Sequence, residues 1–293
     1  MDINYLKDKK IVVTGGAGFL GKALIEKLST YGADVFSFDI IPNKDVLNSI
    51  LVDITDEKNL QLEINRIHPD FVFHLAAKID RTRDFSKSKE IFKINFDGTV
   101  NLLNSLRGIA YTNFIFASTS EIYGLNTNKP FKETDELLAA SPYSLSKINA
   151  ENAIKTFSKI YKKNYTILRL FNFYSQGMPS GFFISDLVEK LEKNENFDMT
   201  LGEQKRDFLK TESIVEALIL STKKEALGET YNVCSGNGFK IKDLAEKFKH
   251  DLNSLSEINF GALPYRKNEI WEMIGDNSKI KRELDWIPKE LFE

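Results

Sequence analysis

TGGAGFLG, residues Thr14 to Gly21, joins an apolar run, KKIVV, to an amphipathic segment, GKALIEKLSTYG. The run reads as a buried strand. Ala23, Leu24, Leu28 and Tyr31 fall close to helical spacing, so the glycines stand at a strand-turn-helix junction. Gly15, Gly18 and Gly21 are spaced by three. Glycine at such a turn lets the backbone approach a pyrophosphate, while the first helical residues, Phe19 and Leu20, bring the amide donors and partial positive charge of a helix start. An ordinary tight turn under a closely packed helix would use the same glycines. The next run, ADVFSFDI, favours a dinucleotide site, because it carries Asp39 at its end, where such a site places an acid on the ribose 2'-hydroxyl. A carboxylate there repels a 2'-phosphate and selects NAD(H) over NADP(H). The third run, SILVD, is expected to end at Asp53 and Ile54, where a side-chain acceptor could meet the adenine amine.

Further runs, DFVFHLAA, TNFIFAST and YTILRLFN, are rich in Val, Ile and Phe, and the helical patterns NLQLEINRI, KINFDGTVNLLNSL and INAENAIKTFSKIY lie between several of them. The alternation predicts an α/β fold: a doubly wound parallel sheet of the Rossmann type, covered on both faces, with right-handed crossovers. Past Phe171 the pattern loosens into SQGMPSG, FISDLVEKL, FDMTL and KRDFLK. We expect a dinucleotide-binding domain over 1–171 and about 206–234, and a smaller α/β substrate-binding lobe over about 172–205 and 235–293.

Composition removes several functions. Hydrophobic residues make up 42% and charged residues 28% of the 293, as in ordinary globular proteins. The 40 basic residues nearly balance 42 acidic ones, giving a net charge of -2, so no overall field recruits nucleic acid or an anionic membrane. A single cysteine, Cys234, and three histidines exclude a disulfide framework and leave too few soft ligands for a zinc site, so no metal is expected. MDINYLKDKKIVV holds no long apolar stretch ahead of the first strand, and no later run reaches the roughly 20 residues of a membrane span. The expectation is a cytoplasmic protein.

Three more stretches carry chemistry. HLAAK places the small residues Ala76 and Ala77 where a cofactor would cross the carboxyl edge of a parallel sheet, and His74 before them reads as a core histidine with a satisfied ring. SPYSLSK puts Tyr143 and Lys147 at i and i+4, on one face of a helix. Free tyrosine titrates near ~10; a fixed cation beside it favours the phenolate and brings it toward a pH at which it can accept a proton from a sugar hydroxyl. Alone, the pair would suit an exposed helix face. It comes after the Ser/Thr-rich strand end ASTSEIYG in a chain that starts with a dinucleotide motif, and that context favours chemistry.

TGGAGFLG, Asp39, HLAA, ASTSEIYG and SPYSLSK together resemble the extended short-chain dehydrogenase/reductases, specifically the NAD-dependent epimerase/dehydratase family acting on nucleotide sugars. LRLFNFYSQG, QKRDFLKTESIVEAL, YNVCSG, LPYR and DNSKIKRELDWIPK extend the likeness, in family order, over nearly the whole chain. The resemblance implies NAD as cofactor, a nucleotide sugar as substrate, Tyr143 as catalytic acid/base, and Lys147 as its electrostatic partner and ribose contact. It places Thr119 on the reacting sugar hydroxyl with Ser120 beside it, Asn172 on the substrate diphosphate or adjoining backbone, and Arg206 and Arg266 on the phosphates, where a guanidinium fork offers several donors. Asn95 matches a family asparagine near the cofactor and would serve equally as a structural cap. The helices of KINFDGTVNLLNSL and INAENAIKTFSKIY match a pair that meets its copy across a twofold axis, which implies a homodimer.

The reaction is less determined. Thr119, Ser120 and Glu121 resemble the triplet of dehydratases and decarboxylases more than that of plain 4-epimerases, and Glu121 could take a C5 proton. Many dehydratases place Asp where Ser120 stands, although the GDP-mannose type also reads Thr-Ser-Glu. Against dehydration, only a short stretch separates Asn172 from Arg206, whereas larger dehydratases enclose the sugar with longer insertions. The preferred reading is hydride transfer at C4, by a 4-keto-sugar nucleotide reductase, a 4-dehydrogenase or a 4-epimerase, ahead of a 4,6-dehydratase or decarboxylase. A non-catalytic NAD-binding regulatory protein of this fold would be expected to lose Tyr143 or Lys147, and both are present.

Overall fold

A computed structural model describes residues 3–80, 82–127, 129–289 and 291–292. The apolar runs form β1 (Lys10–Thr14), β2 (Asp34–Asp39), β3 (Asn48–Leu51), β4 (Phe71–His74), β5 (Asn113–Thr119) and β6 (Tyr165–Leu170). Between them lie α1 (Phe19–Thr30), α2 (Glu57–Ile67), α3 (Ser88–Phe92), α4 (Gly98–Leu106) and α5 (Pro142–Tyr161). Next in the chain are β7 (Asn172–Tyr174), α6 (Phe183–Glu192), β8 (Phe197–Met199), β9 (Lys205–Arg206), β10 (Phe208–Lys210), α7 (Thr211–Leu220) and β11 (Glu229–Val233). The last elements are β12 (Phe239–Lys240), α8 (Ile241–Asp251), β13 (Ile258–Phe260), β14 (Glu272–Met273) and α9 (Ser278–Leu284).

Seven strands form one parallel sheet in the order β11-β6-β5-β4-β1-β2-β3. The chain builds outward from β1 in one direction and then, from β4, in the other. Between β1 and β4 the carboxyl ends of the strands therefore border a crevice, the place where open parallel sheets take ligands. β4 and β5 are buried along their whole length, which is why their sequences are continuous apolar runs without alternation. One face of the sheet packs Val13 and Phe73 against Leu24 and Leu28 of α1 and Ile214 and Leu218 of α7. The other packs Val12, Val72 and Phe114 against Leu60 and Ile64 of α2, Leu102 and Leu106 of α4, and Ile154 of α5. Each such side chain contributes about 1.5–3 kcal/mol when fully buried.

Two local expectations are corrected. The third strand stops at Leu51, because among the described residues it pairs with β2 alone, whose last paired residue is Asp39. Asp53 and Ile54 thus lie beyond the strand, Asp53 exposed with its Oδ1 accepting from the Thr55 amide at 2.8 Å, and Ile54 buried. KINFDGTVNLLNSL is not one regular helix: Lys93–Asp97 winds as a π-helical turn before α4. A π turn inserts extra backbone and redirects side chains, and here it leaves Asn95 buried.

After β6 the chain leaves the sheet to build small sheets and α6, returns through α7 to β11, and leaves again. β8 pairs with β13, β7 with β10, and β9 lies between β12 and β14. Leu187 and Leu191 of α6, Leu244 of α8 and Phe208 share a separate apolar core there. Among the described residues no helix is long and apolar enough to cross a membrane.

Candidate active site

The glycine turn is shaped by contacts a side chain would prevent. Gly15 has φ +72°, and a Cβ on it would lie 2.8 Å from the Ala76 amide nitrogen at the end of the β4 segment. A Cβ on Gly21 would lie 2.1 Å from the Gly15 carbonyl oxygen, so α1 can begin against the turn only with hydrogen at that position. No side chain caps the start of α1, which leaves its first amides available to an anion. Asp39 closes the far side of the turn: its Oδ2 accepts from the Ala17 amide at 3.0 Å and its Oδ1 from the Ile40 amide at 2.8 Å. Gly15, Gly18, Phe19, Leu20, Gly21, Asp39, Asp53, Ile54, Ala76 and Ala77 all border one cleft of about 1570 Å³.

The same cleft receives the start of α5. Ser141 caps that helix by accepting from the Ser144 amide at 3.1 Å, while the Ser144 hydroxyl accepts from the Ser141 amide at 3.0 Å. Such a cap contributes about 1 kcal/mol, and Pro142 behind it fixes the helix start. Tyr143 and Lys147 therefore fall in the first two turns, both buried and both on the cleft wall. The Lys147 ammonium donates to the Ala117 carbonyl at 2.8 Å and lies 4.4 Å from the centre of the Phe116 ring. Burial lowers its pKa to about 7, opposed by the carboxylate of Glu151.

Thr119 and Glu121 also border the cleft, and the Thr119 hydroxyl accepts from the Glu121 amide at 3.2 Å. That contact uses a lone pair and leaves the hydroxyl proton to be given elsewhere. Ser120 does not border it, contrary to expectation. The 3-10 turn Ser120–Tyr123 carries its hydroxyl inward, where it is buried and donates to the Met273 sulfur at 3.0 Å.

Asn172, Arg206 and Arg266 line the same cleft. The Asn172 amide donates to the Asp207 carbonyl at 3.2 Å. Arg206 donates to Glu269 at 2.7 Å and to the Lys205 carbonyl at 2.8 Å; burial lowers its pKa, with Glu269 opposing, Arg266 adding to the effect and Glu121 opposing. Arg266 stands exposed on the rim.

Asn95 lies off the cleft. Its Oδ1 accepts from the Lys78 amide at 2.7 Å, and its Nδ2 donates to the Lys78 carbonyl at 3.1 Å and to the Ser146 hydroxyl at 3.0 Å. It clamps the segment after β4 to α5. His74 is buried with both ring nitrogens engaged, by Thr14 at 2.6 Å and Thr99 at 2.9 Å, and burial assisted by the Lys147 charge lowers its pKa to about 3. Thr99 donates to the Asn95 carbonyl, so it accepts from His74 Nε2, and Nδ1 accepts from Thr14.

Other groups of the cleft escaped the sequence reading. Glu269 is one glutamate among many until folding sets it on Arg206. Asp207, next to Arg206 but not itself on the cleft wall, is buried and accepts from the Ser235 amide at 2.7 Å and the Gly236 amide at 2.9 Å, tying the chain beside Arg206 to the turn after β11; burial pushes its pKa up to about 6 against those bonds. Phe182, Phe183 and Phe197 also wall the cleft. Arg83 donates to the carbonyls of Lys267 and Asn268, joining the two sides of the cleft mouth, and no motif marked it. Among the described residues no group of three or more His, Cys, Asp or Glu side chains could hold a metal ion.

Residues 12–293 match the family model described as GDP-mannose 4,6 dehydratase. The chain is 30% identical over 311 residues to a UDP-N-acetyl-alpha-D-glucosaminuronate decarboxylase of Bacillus cytotoxicus, covering 97% of this chain and 94% of that protein. It is 27% identical over 324 residues to a CDP-paratose 2-epimerase of Salmonella typhi, covering 96% and 95%. The structure matches that of a UDP-glucose 4-epimerase of Thermotoga maritima solved with UDP-glucose, at a TM-score of 0.88 and 28% identity, over 96% of this chain and 94% of that one. With the family model spanning nearly the whole chain and the glycine turn, Tyr143 and Lys147 gathered on one cleft, the protein belongs to the NAD-dependent epimerase/dehydratase family of extended short-chain dehydrogenase/reductases.

Proposed function

We propose that the protein is an NAD-dependent nucleotide-sugar oxidoreductase or epimerase that acts at C4 of the sugar, as a 4-keto-sugar nucleotide reductase, a 4-dehydrogenase or a 4-epimerase. The observation that carries this reading is that Thr119, Tyr143 and Lys147 share one cleft with the glycine turn on one side and with Asn172, Arg206 and Arg266 on the other. The residues fit the cofactor: an uncapped helix start for the pyrophosphate, Asp39 for a ribose without a 2'-phosphate, and a buried ammonium for the second ribose. When bound, the nicotinamide supplies the hydride acceptor or donor. Tyr143 takes the proton of the C4 hydroxyl as the carbonyl forms, or returns it in the reverse direction. Thr119 donates to the same oxygen, Lys147 keeps two N–H groups beyond its bond to Ala117, and the two arginines with Asn172 hold the diphosphate.

Two observations support C4 chemistry over dehydration. Glu121 opposes the effect of burial on Arg206, so its carboxylate faces the phosphate-binding arginine as well as Thr119. The segment from β7 to β9 holds only α6 and β8, a compact enclosure for the sugar. One observation favours the second reading, a 4,6-dehydratase: Glu121 borders the cleft beside Thr119. The test is a panel of UDP-, dTDP-, GDP- and CDP-sugars, with and without a 4-keto group, monitored by nicotinamide absorbance and product NMR with NAD(H) and NADP(H). A C4 enzyme carrying Glu121→Gln should keep most of its rate. Loss of turnover in that variant, together with loss of C5 proton exchange into deuterated water, would replace our reading by dehydration.

We also propose a homodimer formed through α4 and α5, which pack side by side, with Ile160 and Tyr161 of α5 exposed. Light scattering at micromolar concentration should give twice the chain mass, and a monomer mass there overturns it.

A further inference from the structure

α5 carries a third buried ionisable group beyond Lys147. Tyr143, Lys147 and Glu151 are spaced by four, so they lie along one helix face, and Glu151 is fully buried. Its Oε1 accepts from the Ser118 hydroxyl at 2.6 Å and from Arg169 Nε at 3.2 Å, and its Oε2 accepts from Arg169 Nη2 at 2.9 Å. Arg169, on β6, is buried too and donates to the Tyr123 hydroxyl and the Glu133 carbonyl, each at 2.9 Å. Ser118 and Ala117 are consecutive on β5, so neighbouring residues of one strand hold the Glu151 carboxylate and the Lys147 ammonium. Glu151 does not border the cleft, and hydride transfer at C4 makes no direct use of it. A buried ion pair is weak evidence for stability, since replacing both partners by apolar groups is often neutral. Its place under the catalytic helix asks for another role.

We propose that Glu151 is a positioning residue that favours the ammonium form of Lys147, with Arg169, Ser118 and Lys155 holding the carboxylate in place. On α5 itself Tyr143 lies one turn before Lys147, and the partly exposed Lys155 stands 3.6 Å from the Glu151 carboxylate. His74 on β4 is neutral, with its ring nitrogens bound to two threonines. Tyr123 and Glu121 lie on the 3-10 turn after β5, while Lys89 and Glu90 on α3 and Lys93 and Asp97 on the π turn are exposed and solvent-screened. Glu151 is the anion that opposes the effect of burial on Lys147. Burial favours the neutral amine and Glu151 favours the ammonium, so removing Glu151 lowers the pH at which Lys147 loses its proton.

The proposal rests on Lys147 as a cofactor contact, so the experiment measures NAD(H) dissociation constants against pH by fluorescence. Wild type should bind more weakly on the alkaline side of one titration. Glu151→Gln should move that limb to lower pH by about one unit; Glu151→Asp, which keeps the charge, should leave it in place. Should Glu151→Gln fail to fold with Arg169 left unpaired, the double variant Glu151→Gln, Arg169→Met leaves no buried orphan charge and should shift the limb in the same direction by less, because the paired cation goes with the anion. A limb unmoved in the Gln and double variants, or moved equally by Asp, overturns the proposal. If Lys147→Met removes the limb while those variants leave it unmoved, only the role of Glu151 falls. If Lys147→Met binds NAD(H) as wild type does at every pH, the Lys147 reading falls and this proposal with it.

Discussion

Tyr143→Phe is expected to bind NAD(H) nearly as wild type and to turn over about 10²- to 10⁴-fold more slowly, the usual share of a positioned acid-base group. The substitution removes one oxygen and leaves the ring that packs at the start of α5, where Ser141 and Pro142 set the helix. Binding is spared because the glycine turn, Asp39 and Lys147 are untouched. Turnover falls because Thr119, whose hydroxyl can donate, can polarise the C4 oxygen but offers no group that accepts its proton at neutral pH. Stopped-flow measurement of nicotinamide absorbance under single turnover reads the step directly. Near wild-type turnover on the true substrate would refute Tyr143 as the proton carrier.

The parts of the site legible in the sequence are those whose geometry is local. The four-residue spacing of Tyr143 and Lys147 acts within one helix, and the three-residue spacing of the glycines acts within one turn. The parallel sheet was legible because β4 and β5 are buried on both faces, so their apolar runs do not alternate. Where tertiary pairing decides, the sequence misled: β3 is an edge strand and ends before Asp53. Side-chain direction was equally hidden at irregular turns, the π turn that turns Asn95 toward Lys78 and Ser146 and the 3-10 turn that buries Ser120. The Glu269 partner of Arg206 and the Asp207 clamp on Ser235 and Gly236 join residues far apart in the chain, and no local spacing signals them. Glu151 illustrates the boundary: its spacing from Lys147 is visible in the sequence, whereas the buried arginine that gives it meaning comes from β6.

Gly21→Ala is expected to lower stability by about 1–3 kcal/mol, the cost of overpacking a tight contact, and to weaken NAD(H) binding by about tenfold or more, at about 1.4 kcal/mol per factor of ten. The added methyl would begin 2.1 Å from the Gly15 carbonyl oxygen and 2.8 Å from the Gly16 Cα, both backbone, so no rotamer change relieves the clash. The start of α1 must move away from the turn. Its unpaired amides then leave the place where a pyrophosphate would meet them, and their contribution is lost with distance. Gly108→Ala provides the comparison, since a Cβ there meets nothing within 4 Å and should change neither quantity. Urea denaturation and fluorescence titration measure the two effects separately. A Gly21→Ala protein that keeps wild-type affinity for NAD(H) would show that the helix start does not hold the cofactor's phosphates.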